Sequence, residues 1–257
     1  ESFTAAMLVP YLDGHGHATG TTGLSYFPPE ILDPCVVRLD AEGFQVHVHA
    51  IGDRAVREAL DAIEAARRAN GMNDNRHHVA HLQFVHPEDV GRFRRLGVVA
   101  NAQPLWACND PQMVELTIPF VDPERLGWTY PFGSLVRSGA MLAFGSDWPV
   151  SSPDPLAEIH VAVNRMMPPG YRYGEPDADE QPLLPGERID LPAALAASTI
   201  GSAYVNHLDG VTGSIEVGKL ADLAVVDRNL FELPPERVGE ATVDLTLVDG
   251  VVVHERS

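Results

Sequence analysis

Strand-like runs that take turns with amphipathic helical runs constrain this chain more than any other feature. Residues 44–50, Phe-Gln-Val-His-Val-His-Ala, alternate as a strand does, and Ile51-Gly52-Asp53 turns the chain into a helical run over 54–69. On that helix Ala55, Val56, Ala59, Leu60, Ile63 and Ala66 recur at three and four; Asp53 is placed to cap its start and Gly71 to end it. The pattern continues with a strand at 78–84, a helix opened by Pro87 that stops near Gly97, and a strand at 98–103. A long loop with Trp106 and several prolines follows, then a helix at 131–138 and a strand at 140–144 that runs into Gly145-Ser146-Asp147. Further helices are expected at 29–42, 156–165 and 192–207. Strands separated by helices pair in parallel through right-handed crossovers, so the fold class is α/β.

The character changes from Gly213 onward. Short strands at 223–226, 245–248 and 251–253, with Asp249-Gly250 as a two-residue turn, read as a small β appendage. The expected division is therefore an α/β domain over 1–208 and a β segment over 209–257.

Charge narrows the partners. Lys and Arg number 18 against 36 Asp and Glu, a net charge of −18 that repels phosphate backbones and anionic headgroups, so neither nucleic acid nor a membrane surface is expected as a partner. No apolar run approaches the roughly 20 residues of a membrane span, and the first residues lack both a basic signal-type region and an initiator Met. Cys35 and Cys108 are too few for a disulfide framework and are expected as reduced thiols in a cytoplasmic protein.

In parallel α/β sheets the loops converge at the C-terminal ends of the strands, and reactive groups gather there. His49, His81 and Asp147 fall at such ends. His49 and His81 are 32 residues apart (81 − 49), about one strand–helix unit, which places them on adjacent strands at one rim. Two imidazoles and a carboxylate suit a catalytic zinc with one position open to water. His47 forms an H-x-H with His49, but the Gly52-Asp53-Arg54 turn follows so closely that only His49 is expected to reach the rim. His15 and His17 lie in an irregular glycine-rich loop and read as solvent-exposed. The run from Gly213 to Lys219 follows a phosphate-loop pattern until Leu220 stands where Ser or Thr is required. G-x-S-x-G, H-E-x-x-H and G-x-G-x-x-G are absent, which removes support for serine hydrolases, zincins and dinucleotide enzymes.

His49-Ala50-Ile51-Gly52-Asp53-Arg54-Ala55, Arg76-His77-His78-Val79-Ala80-His81, Gln103-Pro104, Gly145-Ser146-Asp147-Trp148-Pro149 and the run from Gly213 to Leu223 resemble the amidohydrolase superfamily, most closely the family 3 branch that includes N-substituted formamide deformylases. The resemblance runs over essentially the whole chain in one order. It implies the C-terminal half of a metal-dependent (β/α)8 TIM barrel, strands five to eight, followed by part of a small β-sandwich. It implies His49 and His81 as metal ligands ending the fifth and sixth strands, and Asp147 as the eighth-strand aspartate that contacts metal and takes a proton from the attacking water. Gln103, Trp106, Asp53, Arg54 and Trp148 are then expected near the substrate. The implied cofactor is a divalent metal of the zinc class, one ion or two. The implied reaction is hydrolysis of a non-peptide C–N bond in an amide- or formamide-like small molecule, the alternative being a cyclic amide or an ester on the same scaffold.

The resemblance also implies what is missing. The first-strand H-x-H and the fourth-strand ligand have no counterpart, and the stretch from Phe3 to Leu8 resembles the segment just after that fourth strand. A length of 257 residues equals about one complete barrel, yet the motif order fits four barrel units and a β tail. The expected partner is the N-terminal barrel half, on a missing segment or a complementary chain, or a second copy of this chain. Alone, the chain reads as a non-catalytic fragment whose opened sheet edge invites aggregation.

Overall fold

The computed structural model describes residues 3–171 and 181–257. They fall into two compact units: the residues up to Ala102 together with Asn109–Leu142, and Gln103–Cys108 together with Ala143–Ser257. The change of pattern at 208/209 lies inside the second unit. Part of the acidic, proline-containing loop that precedes the 192–207 helix lies outside the described residues.

The first unit opens with an irregular segment, then α1 (Pro29–Ala41), β1 (His47–Ala50), α2 (Asp53–Asn70), β2 (His78–His81), α3 (Pro87–Leu96) and β3 (Val99–Ala102). β1, β2 and β3 lie side by side and parallel, with His47 opposite His78 and His78 opposite Val99. The expected strands shrink to four residues each. β2 stops at His81 because His81 and Leu82 both adopt left-handed backbone, φ 75° and 58°, which no pleated strand continues. α2 buries Val56, Ala59, Leu60, Ile63 and Ala66, the stripe read from the sequence. Its cap differs from expectation: Gly52 holds the N-cap position without a side-chain bond, and Asp53 lies in the first turn with its carboxylate engaged elsewhere. Gly71 ends the helix at φ 82°.

The long loop after β3 is more ordered than expected. A π turn at Gln112–Thr117 and a 3-10 turn at Ile118–Phe120 lead to α4 (Pro123–Leu126) and α5 (Phe132–Ser138). Pro111, Pro119 and Pro123 each suit the opening of a helical turn and stop the preceding one, so the segment coils in single turns. β4 (Leu142–Phe144) begins as this unit ends, and the Ala100 N–H donates to the Met141 carbonyl at 2.8 Å.

In the second unit the Asp154 carboxylate caps α6 (Pro155–Asn164), accepting from the Leu156 and Ala157 N–H groups. The expected 192–207 helix is broken into α7 (Leu191–Ala196), a π turn at Ala197–Gly201, and α8 (Ser202–Val205). Thr199 Oγ1 donates to the Leu195 carbonyl at 2.7 Å and Ser202 Oγ to the Ala197 carbonyl at 3.0 Å, competing with the backbone ladder where it widens. β5 (Leu223–Val226), β6 (Val243–Val248) and β7 (Val251–Glu255) form an antiparallel sheet in that order. Asp249 and Gly250 at the β6–β7 turn both have positive φ, as a two-residue hairpin requires. Cys35 is exposed, Cys108 buried, and both are free thiols. No described helix is long and apolar enough to cross a membrane.

Candidate metal centre

Side chains alternate along β1, so His47 and His49 share one face, and their in-register partners on β2, His78 and Ala80, share it too. By that alternation His81, opposite Ala50, belongs on the other face. Its left-handed backbone breaks the alternation, and the His81 ring comes to 4.2 Å from the His49 ring, centroid to centroid, tilted by 60°. Such backbone at a non-glycine residue costs about 1–3 kcal/mol and persists where the surroundings over-determine it. Here the Leu82 N–H donates to the Ala50 carbonyl and the Phe84 N–H to the Ile51 carbonyl, holding the exit of β2 against the loop leaving β1. The rim thus carries two imidazoles side by side, His49 exposed and His81 half-buried.

One pleat below lies a second pair. His47 Nδ1 is 3.1 Å from His78 Nε2, and His78 Nδ1 is 3.1 Å from Asn101 Nδ2 on β3. Burial, aided by the neighbouring His47 and His77, holds His78 down at about 4, so it is neutral at physiological pH.

Asp53 and Arg54, expected beside the substrate, are placed as clamps on the chain's first segment. Asp53 is fully buried: Oδ1 accepts from the Leu8 N–H at 2.8 Å and Oδ2 from Arg125 Nε at 3.0 Å. Arg54 donates to the carbonyls of Met7, Thr22 and Gly23. Gly52 completes the clamp, since a Cβ there would lie 2.0 Å from the Ala6 carbonyl oxygen, which accepts from the Arg54 and Ala55 N–H groups.

The remaining candidates lie in the second unit. Asp147 is half-buried at φ 61°, in a tight turn whose carbonyl accepts from the Val150 and Ser151 N–H groups. Ser151 Oγ donates to the Ser146 carbonyl, and Ser146 Oγ accepts from the Trp148 N–H at 3.2 Å. Trp148 is 67% exposed. Gln103 is buried at the head of the 3-10 turn Pro104–Trp106, its carbonyl accepting from the half-buried Trp106 N–H. Among the described residues no three His, Cys, Asp or Glu side chains converge as a metal-binding group; what the structure brings together is the His49–His81 pair. His15 and His17 are exposed, as expected. Sequence reading missed the His78–Asn101 contact and Arg125. The first is traceable to parallel register, which pairs residues 31 apart; the second, 72 residues from its Asp53 partner, leaves no local signal.

The sequence profile of the amidohydrolase family matches residues 1–254. The chain is 36% identical over 228 residues to the protein LONG AFTER FAR-RED 3 of Arabidopsis thaliana, covering 89% of this chain and 37% of that protein. It is 26% identical over 249 residues to the N-substituted formamide deformylase of Arthrobacter pascens, covering 91% of this chain and 41% of the enzyme. An uncharacterized metal-dependent hydrolase of Pyrococcus horikoshii superposes with a TM-score of 0.67 at 29% identity, over 84% of this chain and 40% of that one. The chain spans well under half the length of each. The motif order, the parallel strands with paired imidazoles at their ends, and the match over nearly every residue agree: the chain belongs to the amidohydrolase family.

Proposed function

We propose that the full protein is a metal-dependent hydrolase cleaving a non-peptide C–N bond of a small amide- or formamide-like molecule, with His49 and His81 as ligands of a zinc-class divalent ion and Asp147 as the carboxylate that joins them. The observation that carries this is the 4.2 Å pairing of His49 with His81 from adjacent parallel strands, reached through left-handed backbone at His81. Two imidazoles at one rim are donors that a borderline divalent ion favours, so the residues fit the group. When bound, such an ion makes hydroxide available at neutral pH and polarises the substrate carbonyl.

The chain's own residues do the rest. His49 and His81 act as neutral rings, each presenting a lone pair, so their hold weakens as acid protonates them. Asp147 accepts the proton of the attacking water on its carboxylate and returns it to the leaving nitrogen, general base and then general acid. The C–N bond breaks, the water oxygen goes to the carbonyl carbon, and the proton leaves with the amine. Gly52, Asp53 and Arg54, directly after β1, fix the segment from Ala6 to Leu8 against the start of α2 and so steady the loop that carries His49.

The architecture proposed for the working molecule is strands five to eight of a (β/α)8 barrel with part of a β-sandwich, completed by an N-terminal half on the same or a complementary chain. The 37–41% coverage of the relatives supports this, as do the exposed His47 and His49 and the exposed residues of β7. His81→Ala in the full protein tests the site: bound zinc and turnover are expected to fall together, at least tenfold. Unchanged metal content and turnover would overturn the proposal.

A further inference from the structure

His47 and His49 stand on one face of β1, and an H-x-H on a strand offers a metal two imidazoles as readily as one. The hydrogen bonds beneath the rim decide between them. An amide nitrogen can only donate, so His78 Nδ1, 3.1 Å from Asn101 Nδ2, must be the unprotonated nitrogen of its ring. A doubly protonated His78 would set one N–H donor against another, so the ring is neutral and its proton sits on Nε2. That Nε2–H faces His47 Nδ1 at 3.1 Å, with the rings 4.4 Å apart in an edge-on arrangement that keeps the bond near the plane of one ring. His47 Nδ1 therefore accepts, and the proton of neutral His47 is driven to Nε2. A ring with one nitrogen accepting and the other protonated has no lone pair left for a metal.

We infer that Asn101, acting through His78, is a positioning residue that locks His47 in its Nε2–H tautomer and keeps it out of the metal's ligand set, leaving His49 as the one ligand from β1. The exclusion from the ligand set rests on the metal site proposed above; the tautomer lock does not. The lock uses register alone: His47 and His78 are in-register partners on parallel strands, and Asn101, opposite Ala80, lies two residues along β3 from the residue opposite His78. A change of one residue in either strand would turn these rings to opposite faces.

The test is the tautomer itself, read by long-range 1H–15N spectra of the full protein carrying ring-labelled histidine, with His47→Gln and His78→Gln assigning the signals. Metal-free wild type is expected to show unprotonated Nδ1 and protonated Nε2 on both rings. Adding one equivalent of zinc is expected to shift His49 and His81 and leave His47 unchanged. Asn101→Asp puts a carboxylate acceptor where the amide donor was, so both rings are expected to switch to Nδ1–H, and zinc is then expected to shift His47. Nδ1–H on either ring of wild type, or a zinc-induced shift of His47 in wild type, overturns the inference; the wild-type spectra decide it even if Asn101→Asp does not fold. Tautomers as expected with His49 and His81 unmoved by zinc would leave the lock standing and overturn the metal site.

Discussion

His77 and His81 stand at the two ends of β2, four residues apart, and the same side chain does opposite work at each. His77 is fully buried, with Nδ1 accepting from the Val46 N–H at 3.0 Å and Nε2–H donating to Asp40 Oδ1 at 2.8 Å. Asp40 also receives Arg67, Asn73 and Asn75 on the same oxygen and Asn70 on the other, tying α1, α2 and the loop before β2 together. His81 is half-buried, holds strained backbone and meets another imidazole. One end of the sheet is committed to stability and the other to chemistry, the polarity of parallel α/β sheets generally. Counting which ring nitrogens are already engaged separates the two roles better than counting histidines.

The sharpest way to break this comparison is at Asp40. Asp40→Ala strands a buried Arg67 guanidinium and is expected to cost about 3–5 kcal/mol, measured as a fall in the urea midpoint at constant slope. A loss under about 1 kcal/mol would mean the hub is not what holds that end. Acid should reach the same residue. Burial raises the Asp40 carboxyl, but hydrogen bonds from Asn70, Asn73, His77 and Asn75 outweigh it and hold the group down at about 2, against an ordinary 3.8. A depressed folded value contributes stability that is fully present above the unfolded value. That stability, about 2 kcal/mol, is lost as pH falls from about 4 through 2. In Asp40→Asn this acid slope should vanish, which a pH series of unfolding midpoints would show.

The strand–helix order, the α2 stripe, the Gly71 and Gly97 stops and the Asp249-Gly250 hairpin were legible because each follows from local periodicity or from a residue able to take positive φ. His49 and His81 were legible as strand-end residues, yet their meeting was not: simple alternation puts His81 on the wrong face, and only its left-handed backbone corrects that. Gly52 looked like a turn residue, whereas its real constraint is the backbone of Ala6 pressed against it. Asp53 looked like a cap, and its partners Leu8 and Arg125 lie 45 and 72 residues away. Contacts of that range are set by tertiary packing, which no window along the chain contains.

The two ends of β2 can be set against each other with matched substitutions. His77→Ala leaves the Val46 N–H and one bond of the Asp40 cluster unsatisfied in the interior and is expected to cost about 1–3 kcal/mol while metal binding persists. His81→Gly should do the reverse. Glycine takes φ 75° without strain, and the relief of about 1–2 kcal/mol is partly offset by glycine's entropy, so stability should stay level or rise by up to about 1 kcal/mol as zinc binding is lost. A residue that is better for the fold when removed and indispensable to the metal is one whose strain serves function. Calorimetry and metal analysis on the two variants decide it: a clear loss of stability in His81→Gly would place His81 with His77, as part of the scaffold.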